Sequence, residues 1–126
     1  MHKSKLGGFI IDCQTDDLPQ ATNFWGSALG LPVRELPGAE GDSYRKLHDA
    51  HTGLDIEVQK VTHPSRVHLD IETNDIEAEV RRLEALGAKR VQHIQTWWVM
   101  EAPTGQRFCV VQASSPKFEE QASIWP

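Results

Sequence analysis

Two stretches of the chain repeat, and this repeat limits the folds the chain can adopt more than any other feature does. Thr15–Leu18 recurs as Thr73–Ile76, each time after a run of strand-forming residues and before a helical pattern that ends in Leu-Gly. Thr52–Val58 recurs in the same way as Thr104–Val110. A repeat of roughly 55–60 residues that occurs only twice is too long and too few for a solenoid. It predicts two copies of one supersecondary module, packed about a pseudo-twofold axis.

Composition excludes several classes of protein. A length of 126 residues allows one hydrophobic core, and 39% apolar with 25% charged residues is typical of a globular domain. The net charge of −5, without a basic run, argues against nucleic acid as a partner. The N-terminus lacks the apolar stretch of a signal peptide, and no segment is apolar enough to span a membrane. Two cysteines do not make a disulfide framework. We therefore expect a soluble, cytoplasmic protein.

Each half of the chain shows the order β-α-β-β-β. In the first half, Asp16 or Asp17 is expected to cap a helix that Gly30 ends, and in the second half Asp75 caps a helix that Gly87 ends. Helical spacing predicts two buried stripes, Leu18, Ala21, Phe24, Trp25, Ala28 and Leu29 in the first helix and Ile76, Val80, Leu83 and Leu86 in the second. The predicted fold class is α+β, in a single domain over residues 1–113. Module one covers about residues 8–62 and module two about 66–113, and residues 114–126 form a polar tail.

This pattern resembles the vicinal-oxygen-chelate superfamily, also called the glyoxalase/bleomycin-resistance/dioxygenase fold. The resemblance covers residues 8–112 and is closest to the small glyoxalase-like branch. The residues on which the resemblance rests are the two helical segments that end in Leu-Gly, the segment His68–Asp75 and the turn segment Pro103–Phe108. The resemblance implies two βαβββ modules whose curved mixed sheets form a cleft. It also implies a homodimer, because members of the family usually pair.

The resemblance also implies where a metal would be bound. Metal-dependent members take one ligand from the first strand and one from the last strand of each module. The repeat offset places these four positions at Ile10, Glu57, His68 and Cys109. This set departs from the usual His/Gln/Glu ligands at two positions, Ile10 and Cys109. The remaining candidate set for one divalent metal ion is His68, Glu57 and Cys109.

His68 and Glu57 are the candidate catalytic residues. A neutral imidazole can ligate a metal or transfer a proton near neutral pH, and Glu57 can act as a ligand or a general base. Ordinary structural roles remain open for both, namely a histidine bonded to a neighbour and a carboxylate on a solvated strand face. For Cys109 the alternative is a buried, inert thiol.

Further residues are candidates for binding a ligand. Trp97 and Trp98 are adjacent on a predicted strand, so their side chains must point to opposite faces. One of them could form a flat wall for a planar molecule, or could simply belong to the core. The candidate polar ligand-binding residues are Asp55, Gln59 and Asp70, and the first two should share a strand face with Glu57.

Two functions follow from these residues. The first is a protein that binds a small molecule in the cleft between the modules without the family's metal quartet, as the drug-sequestering members do. The alternative is a metal-dependent lyase or isomerase of the glyoxalase type that uses Glu57 and His68. An extradiol dioxygenase is disfavoured, because its iron needs two histidines and a carboxylate and only one histidine is placed.

Overall fold

The computed structural model describes residues 1–126 and divides them into two compact units. Unit one is Phe9–Val67, and unit two combines Met1–Gly8 with His68–Pro126. The first strand, β1 (His2–Gln14), contributes residues to both units. The fold class is α+β, and each half of the chain has the predicted order β-α-β-β-β. The predicted fold class is confirmed.

Unit one places helix α1 against a small sheet. Its elements after β1 are α1 (Leu18–Leu29), β2 (Val33–Glu35), a 3₁₀ turn (Gly38–Asp42), β3 (Tyr44–Leu47) and β4 (Asp55–Val61). The strands lie in the order β2-β3-β4-β1. The core of the unit is formed by Leu18, Leu47, Ile56 and Val58.

Helix α1 begins and ends where the sequence predicts, although its buried face is different. The Asp17 side chain accepts a hydrogen bond from the Gln20 amide, and Gly30 ends the helix in the left-handed conformation that glycine adopts without strain. The predicted stripe is wrong at Phe24, which is 62% exposed, and at Ala28 and Leu29, which are also exposed. The helix instead approaches the sheet through its small residues Thr22 and Gly26, and this turns Phe24 toward solvent.

Unit two contains the remaining strands and helices, except that the first two residues of β5 belong to unit one. They are β5 (Arg66–Thr73), α2 (Ile76–Ala85), β6 (Lys89–Ile94), β7 (Trp97–Glu101), β8 (Arg107–Gln112), α3 (Phe118–Gln121) and β9 (Ser123–Trp125). The strand order is β1-β5-β8-β7-β6, with β5 and β8 parallel. Val80, Leu83, Met100 and Val110 form its core between α2 and the sheet. As predicted, Asp75 caps α2 by accepting from the Ala78 amide.

Residues 114–126 are not the polar tail that the composition predicts. Phe118 is buried, and β9 pairs antiparallel with the start of β1, with Trp125 opposite His2. The Trp125 indole N–H donates to the Ser4 hydroxyl at 2.8 Å, and the Arg82 guanidinium lies 3.8 Å from the centre of the indole ring. The segment is polar in composition but folds because these few side chains have specific partners.

The burial of two residues, one in α2 and one just after it, differs from what the helical spacing predicts. Leu86, the last residue of the predicted stripe, is 67% exposed, whereas Glu79 is fully buried. The Glu79 carboxylate accepts two hydrogen bonds from Arg82 and lies 2.8 Å from Nε2 of His2. A buried carboxylate needs such partners, and β1 and α2 supply them in this unit.

None of the helices is long and apolar enough to cross a membrane.

Candidate functional site

The two faces of the unit two sheet differ in chemistry. Strand alternation places Ile71, Phe108, Val110, Trp98 and Met100 on the face that packs against α2. The intervening residues of the same strands point to the opposite face, which we call the polar face and define by His68, Asp70, Glu72, Trp97, Val99, Cys109 and Val111. The polar face is the candidate functional site.

Three side chains with metal-ligating or proton-transferring atoms meet on the polar face. His68 and Asp70 are two residues apart on β5, and Cys109 lies directly across from Asp70 in the parallel register between β5 and β8. One ligand atom from each of the three residues lies within 4.8 Å of the others. His68 and Asp70 are 13% and 18% exposed, so both are accessible but largely desolvated.

The side chains of His68 and Asp70 are close but are not directly hydrogen-bonded to each other through Nε2 and Oδ1. Nε2 of His68 lies 3.5 Å from Oδ1 of Asp70, beyond the roughly 2.7–3.2 Å of an ordinary N–H···O hydrogen bond. All three residues also take part in other contacts, so the cluster is part of a larger network. The sequence grouped His68 and Cys109 with Glu57 as candidate metal ligands and gave Asp70 as a candidate ligand-binding residue, whereas the structure brings His68, Asp70 and Cys109 together.

Glu72 is a residue of the polar face to which sequence reasoning assigned no role. It is 3% exposed, its Oε2 accepts from the Ser114 amide at 3.4 Å, and its Oε1 lies 3.7 Å from Nζ of Lys5 without a hydrogen-bond donor. The α-carbon of Gly7 faces this side chain so closely that an added β-carbon would come within 3.1 Å of it. The alternation of His68, Asp70 and Glu72 was a signal that these residues share a face, but it could not show that Glu72 is buried.

The two tryptophans are separated as the alternation requires. Trp98 faces α2, where it stacks on His93 at 4.8 Å and lies under the Arg90 guanidinium. Trp97 lies two residues from Val99, which pairs with Cys109, and therefore belongs to the polar face. Trp97 is thus the tryptophan that can contact a ligand bound near Cys109, whereas Trp98 has a structural position.

The remaining candidates belong to unit one. Asp55, Glu57 and Gln59 alternate along β4 with the buried Ile56 and Val58, so they share the face of that strand that points away from the core. Nζ of Lys46 lies 3.4 Å from Asp55, and Glu57 has contacts of its own. Their proposed roles in catalysis and binding stay predictions.

The four metal positions implied by the resemblance do not form a complete donor set. Ile10 offers only hydrocarbon and is 3% exposed, so it is a core residue at a place where the family has a ligand. The residues present therefore do not fit the family's four-ligand site, and no chemical step is derived through such a site.

Comparison with known proteins shows the family. Residues 8–111 match the family described as a glyoxalase-like domain. The chain belongs to this family. It is accordingly a member of the vicinal-oxygen-chelate superfamily, which the sequence resembles. No curated protein matches the sequence.

Solved structures support the same fold. A hypothetical protein of Bacillus halodurans superposes with a TM-score of 0.64 at 12% identity, covering 89% of this chain and 96% of that chain. Methylmalonyl-CoA epimerase of Mycobacterium tuberculosis gives 0.63 at 16% identity, over 86% and 88% of the two chains. The 2,2',3-trihydroxybiphenyl 1,2-dioxygenase of Sphingomonas wittichii gives 0.59 at 16% identity, over 90% of this chain and 42% of that chain. At these identities the likeness concerns the fold alone.

Proposed function

We propose that this glyoxalase-like protein binds a planar, hydrogen-bonding small molecule on the polar face of unit two, without the family's four-ligand metal site. The observation that carries the proposal is the meeting of His68, Asp70 and Cys109 on one half-buried sheet face. A few convergent polar groups in largely desolvated surroundings are typical of small-molecule sites. The absence of a donor at Ile10 supports a binding role that does not depend on the family's metal.

The chemistry of the polar face indicates the class of ligand. Trp97, Val99 and Val111 supply apolar surface next to the polar cluster, and an indole favours stacking on flat rings. The carboxylate of Asp70 accepts hydrogen bonds, and a neutral His68 imidazole can both donate and accept. A planar molecule with N–H or O–H donors on one edge, neutral or cationic, complements this arrangement. An anionic molecule would be disfavoured by Asp70 and by the buried Glu72.

The test is equilibrium dialysis of metal-free protein against three matched panels of planar aromatic compounds, namely amines, amides and carboxylates. We expect amines or amides to bind and the matched carboxylates to bind more weakly. Failure of the folded protein to bind any of them, or a preference for the carboxylates, would contradict the proposal.

The adjacent tryptophans provide a matched pair of variants for any compound that binds. Trp97→Leu should weaken binding by about 2–13-fold, because a lost aromatic contact corresponds to roughly 0.5–1.5 kcal/mol. Trp98→Leu makes the same substitution on the opposite face, so it should lower thermal stability and leave the dissociation constant of the folded protein unchanged. Equal effects of the two substitutions on binding would place the ligand away from the polar face.

The alternative, a metal-dependent lyase or isomerase that uses Glu57 and His68, stays a prediction, as do the homodimer and the cytoplasmic location. A small-molecule binder has no need of a metal ion, whereas the alternative depends on one. Whether the chain can bind a metal ion is therefore a separate question. The donor atoms of the polar face bear on it.

A further inference from the structure

The donor atoms of the polar face are arranged by backbone pairing within a single unit. His68 and Asp70 extend from the same side of β5, and the register between β5 and β8 sets Cys109 beside Asp70. Their ligand atoms lie within 4.8 Å of one another. Because two neighbouring strands of one sheet position all three donors, no residue of unit one is needed to assemble the set.

We propose that His68, Asp70 and Cys109 together bind one zinc-type divalent ion, with Asp70 as a ligand in place of the residues that the family takes from the first module. Imidazole nitrogen, carboxylate oxygen and thiolate sulfur are all zinc ligands, and three protein ligands with a fourth position open is a common zinc arrangement. The thiolate selects against magnesium and calcium, which prefer oxygen alone.

The separation of two of the donors fits this assignment. Zinc–ligand bonds of about 2.0–2.3 Å in a tetrahedral arrangement place neighbouring ligand atoms about 3.3–3.6 Å apart. The 3.5 Å between Nε2 of His68 and Oδ1 of Asp70 already has this value, and it is long for a direct hydrogen bond. Cys109 would lose the proton of its thiol as the sulfur–metal bond forms, so binding releases one proton to solvent for each ion bound.

The electrostatic surroundings favour a cation at this place. The buried Glu72 carboxylate lies on the same face, two residues beyond Asp70, and one of its oxygens has no hydrogen-bond donor. Lys5 lies 3.7 Å from that oxygen and offsets part of this charge. Asp70 and the thiolate of Cys109 would balance the two positive charges of the ion itself.

The test is titration of metal-free protein with cobalt(II), which reports a bound thiolate through a sulfur-to-cobalt charge-transfer band. We expect the band to saturate at one cobalt per chain and to disappear when zinc displaces the cobalt. Proton release, followed with a pH indicator in weak buffer, should accompany binding. A folded protein that gives no charge-transfer band and retains no zinc after desalting would overturn the proposal.

Paired variants assign the ligands. Cys109→Ser should abolish the band, whereas Cys13→Ser, which changes the only other cysteine, should leave it intact. Burial raises the pKa of the Cys13 thiol and keeps it protonated, so Cys13 is a suitable control. Asp70→Asn should weaken cobalt affinity at least tenfold, whereas Glu57→Gln should not. A larger loss of cobalt affinity for Glu57→Gln than for Asp70→Asn would overturn the assignment. It would favour Glu57, the position that the family resemblance implies, as the ligand.

Metal binding and small-molecule binding are tested separately. Cobalt titration needs no organic ligand, and the dialysis experiment uses metal-free protein. A chain that binds cobalt but no planar compound would contradict only the proposed function, and the opposite result would contradict only the metal site. Circular dichroism of each variant shows whether a lost signal reflects a lost ligand or a lost fold, and Asp70→Asn keeps the test decisive if Cys109→Ser does not fold.

Discussion

We expect Glu79→Ala to lower the free energy of unfolding by about 3–5 kcal/mol, since this is the usual cost of removing one partner of a buried ionic group. Glu79 is fully buried, accepts two hydrogen bonds of 2.8 Å from Arg82 and lies 2.8 Å from Nε2 of His2. Because a carboxylate can only accept, the His2 nitrogen must carry the hydrogen of that contact. Removal of Glu79 leaves His2, which is 7% exposed, without this acceptor in a largely dry environment. Urea unfolding followed by circular dichroism measures the loss.

Glu77 on the same helix provides the control for this substitution. Glu77 pairs with Arg81 and Arg90 at the surface, where ion pairs contribute little to stability. Glu77→Ala should therefore cost much less than Glu79→Ala, although both remove a glutamate that contacts two side chains with nitrogen donors. Comparable losses for the two variants would mean that burial does not determine the contribution of Glu79.

The same carboxylate should make stability depend on pH in the acid range. Burial alone would raise the pKa of Glu79, but hydrogen bonds from Arg82, His2 and Ser4 together outweigh burial and hold the pKa below its usual value. The unfolded chain then takes up the proton first, near the ordinary glutamate pKa of about 4.3, so the contribution is complete above that pH and is lost as the pH falls through the lower folded pKa. Urea unfolding at several pH values below about 6 should show a shallower decline for Glu79→Ala than for the natural chain. Parallel profiles for the two proteins would contradict this expectation.

The features that the sequence predicted correctly are those with local causes. The caps Asp17 and Asp75 act on amides three residues away, and Gly30 ends its helix through its own backbone conformation. Strand alternation likewise correctly separated Trp97 from Trp98. In each case the cause lies within a few residues of its effect, so a pattern in the chain is enough to reveal it.

The features that the sequence missed depend on residues far apart in the chain. Glu79 is buried because His2 is brought to it from 77 positions away, and nothing in the helical spacing of α2 indicates this. The C-terminal segment folds because Trp125 meets Ser4 across 121 positions. Phe24 is exposed because small residues bring the other side of α1 to the sheet, a result that hydrophobicity alone predicts wrongly.

The candidate site depends on both local and distant causes. The repeat singled out His68 and Cys109 as equivalent positions of the family's ligands, and alternation placed Asp70 on the same strand face as His68. The register that sets Cys109 opposite Asp70 comes from the pairing of β5 with β8, about 39 residues apart along the chain. Parallel strands joined by a helix and two further strands have no turn that fixes their register, so the three-residue cluster could be recognised only in the structure.

We expect Met100→Ala to lower the free energy of unfolding by about 2–5 kcal/mol, the range for truncating a buried large aliphatic side chain to alanine. Met100 is fully buried on β7, where it pairs with Phe108 and packs among Val80, Leu83 and Val110. The surrounding side chains belong to a helix and to neighbouring strands, so they cannot close the resulting cavity without moving backbone. Urea unfolding of the variant at neutral pH measures the cost.

Met100→Leu is the control that replaces the same residue without leaving a large cavity. It conserves most of the volume and should cost less than about 1.5 kcal/mol. Both variants should bind cobalt as the natural chain does under conditions where they are folded, because Met100 points toward α2 while its neighbour Val99 pairs with Cys109 on the polar face. A cobalt affinity that falls in proportion to the lost stability would contradict this separation. It would mean that the donor positions depend on core packing behind the sheet, and not only on the pairing of β5 with β8.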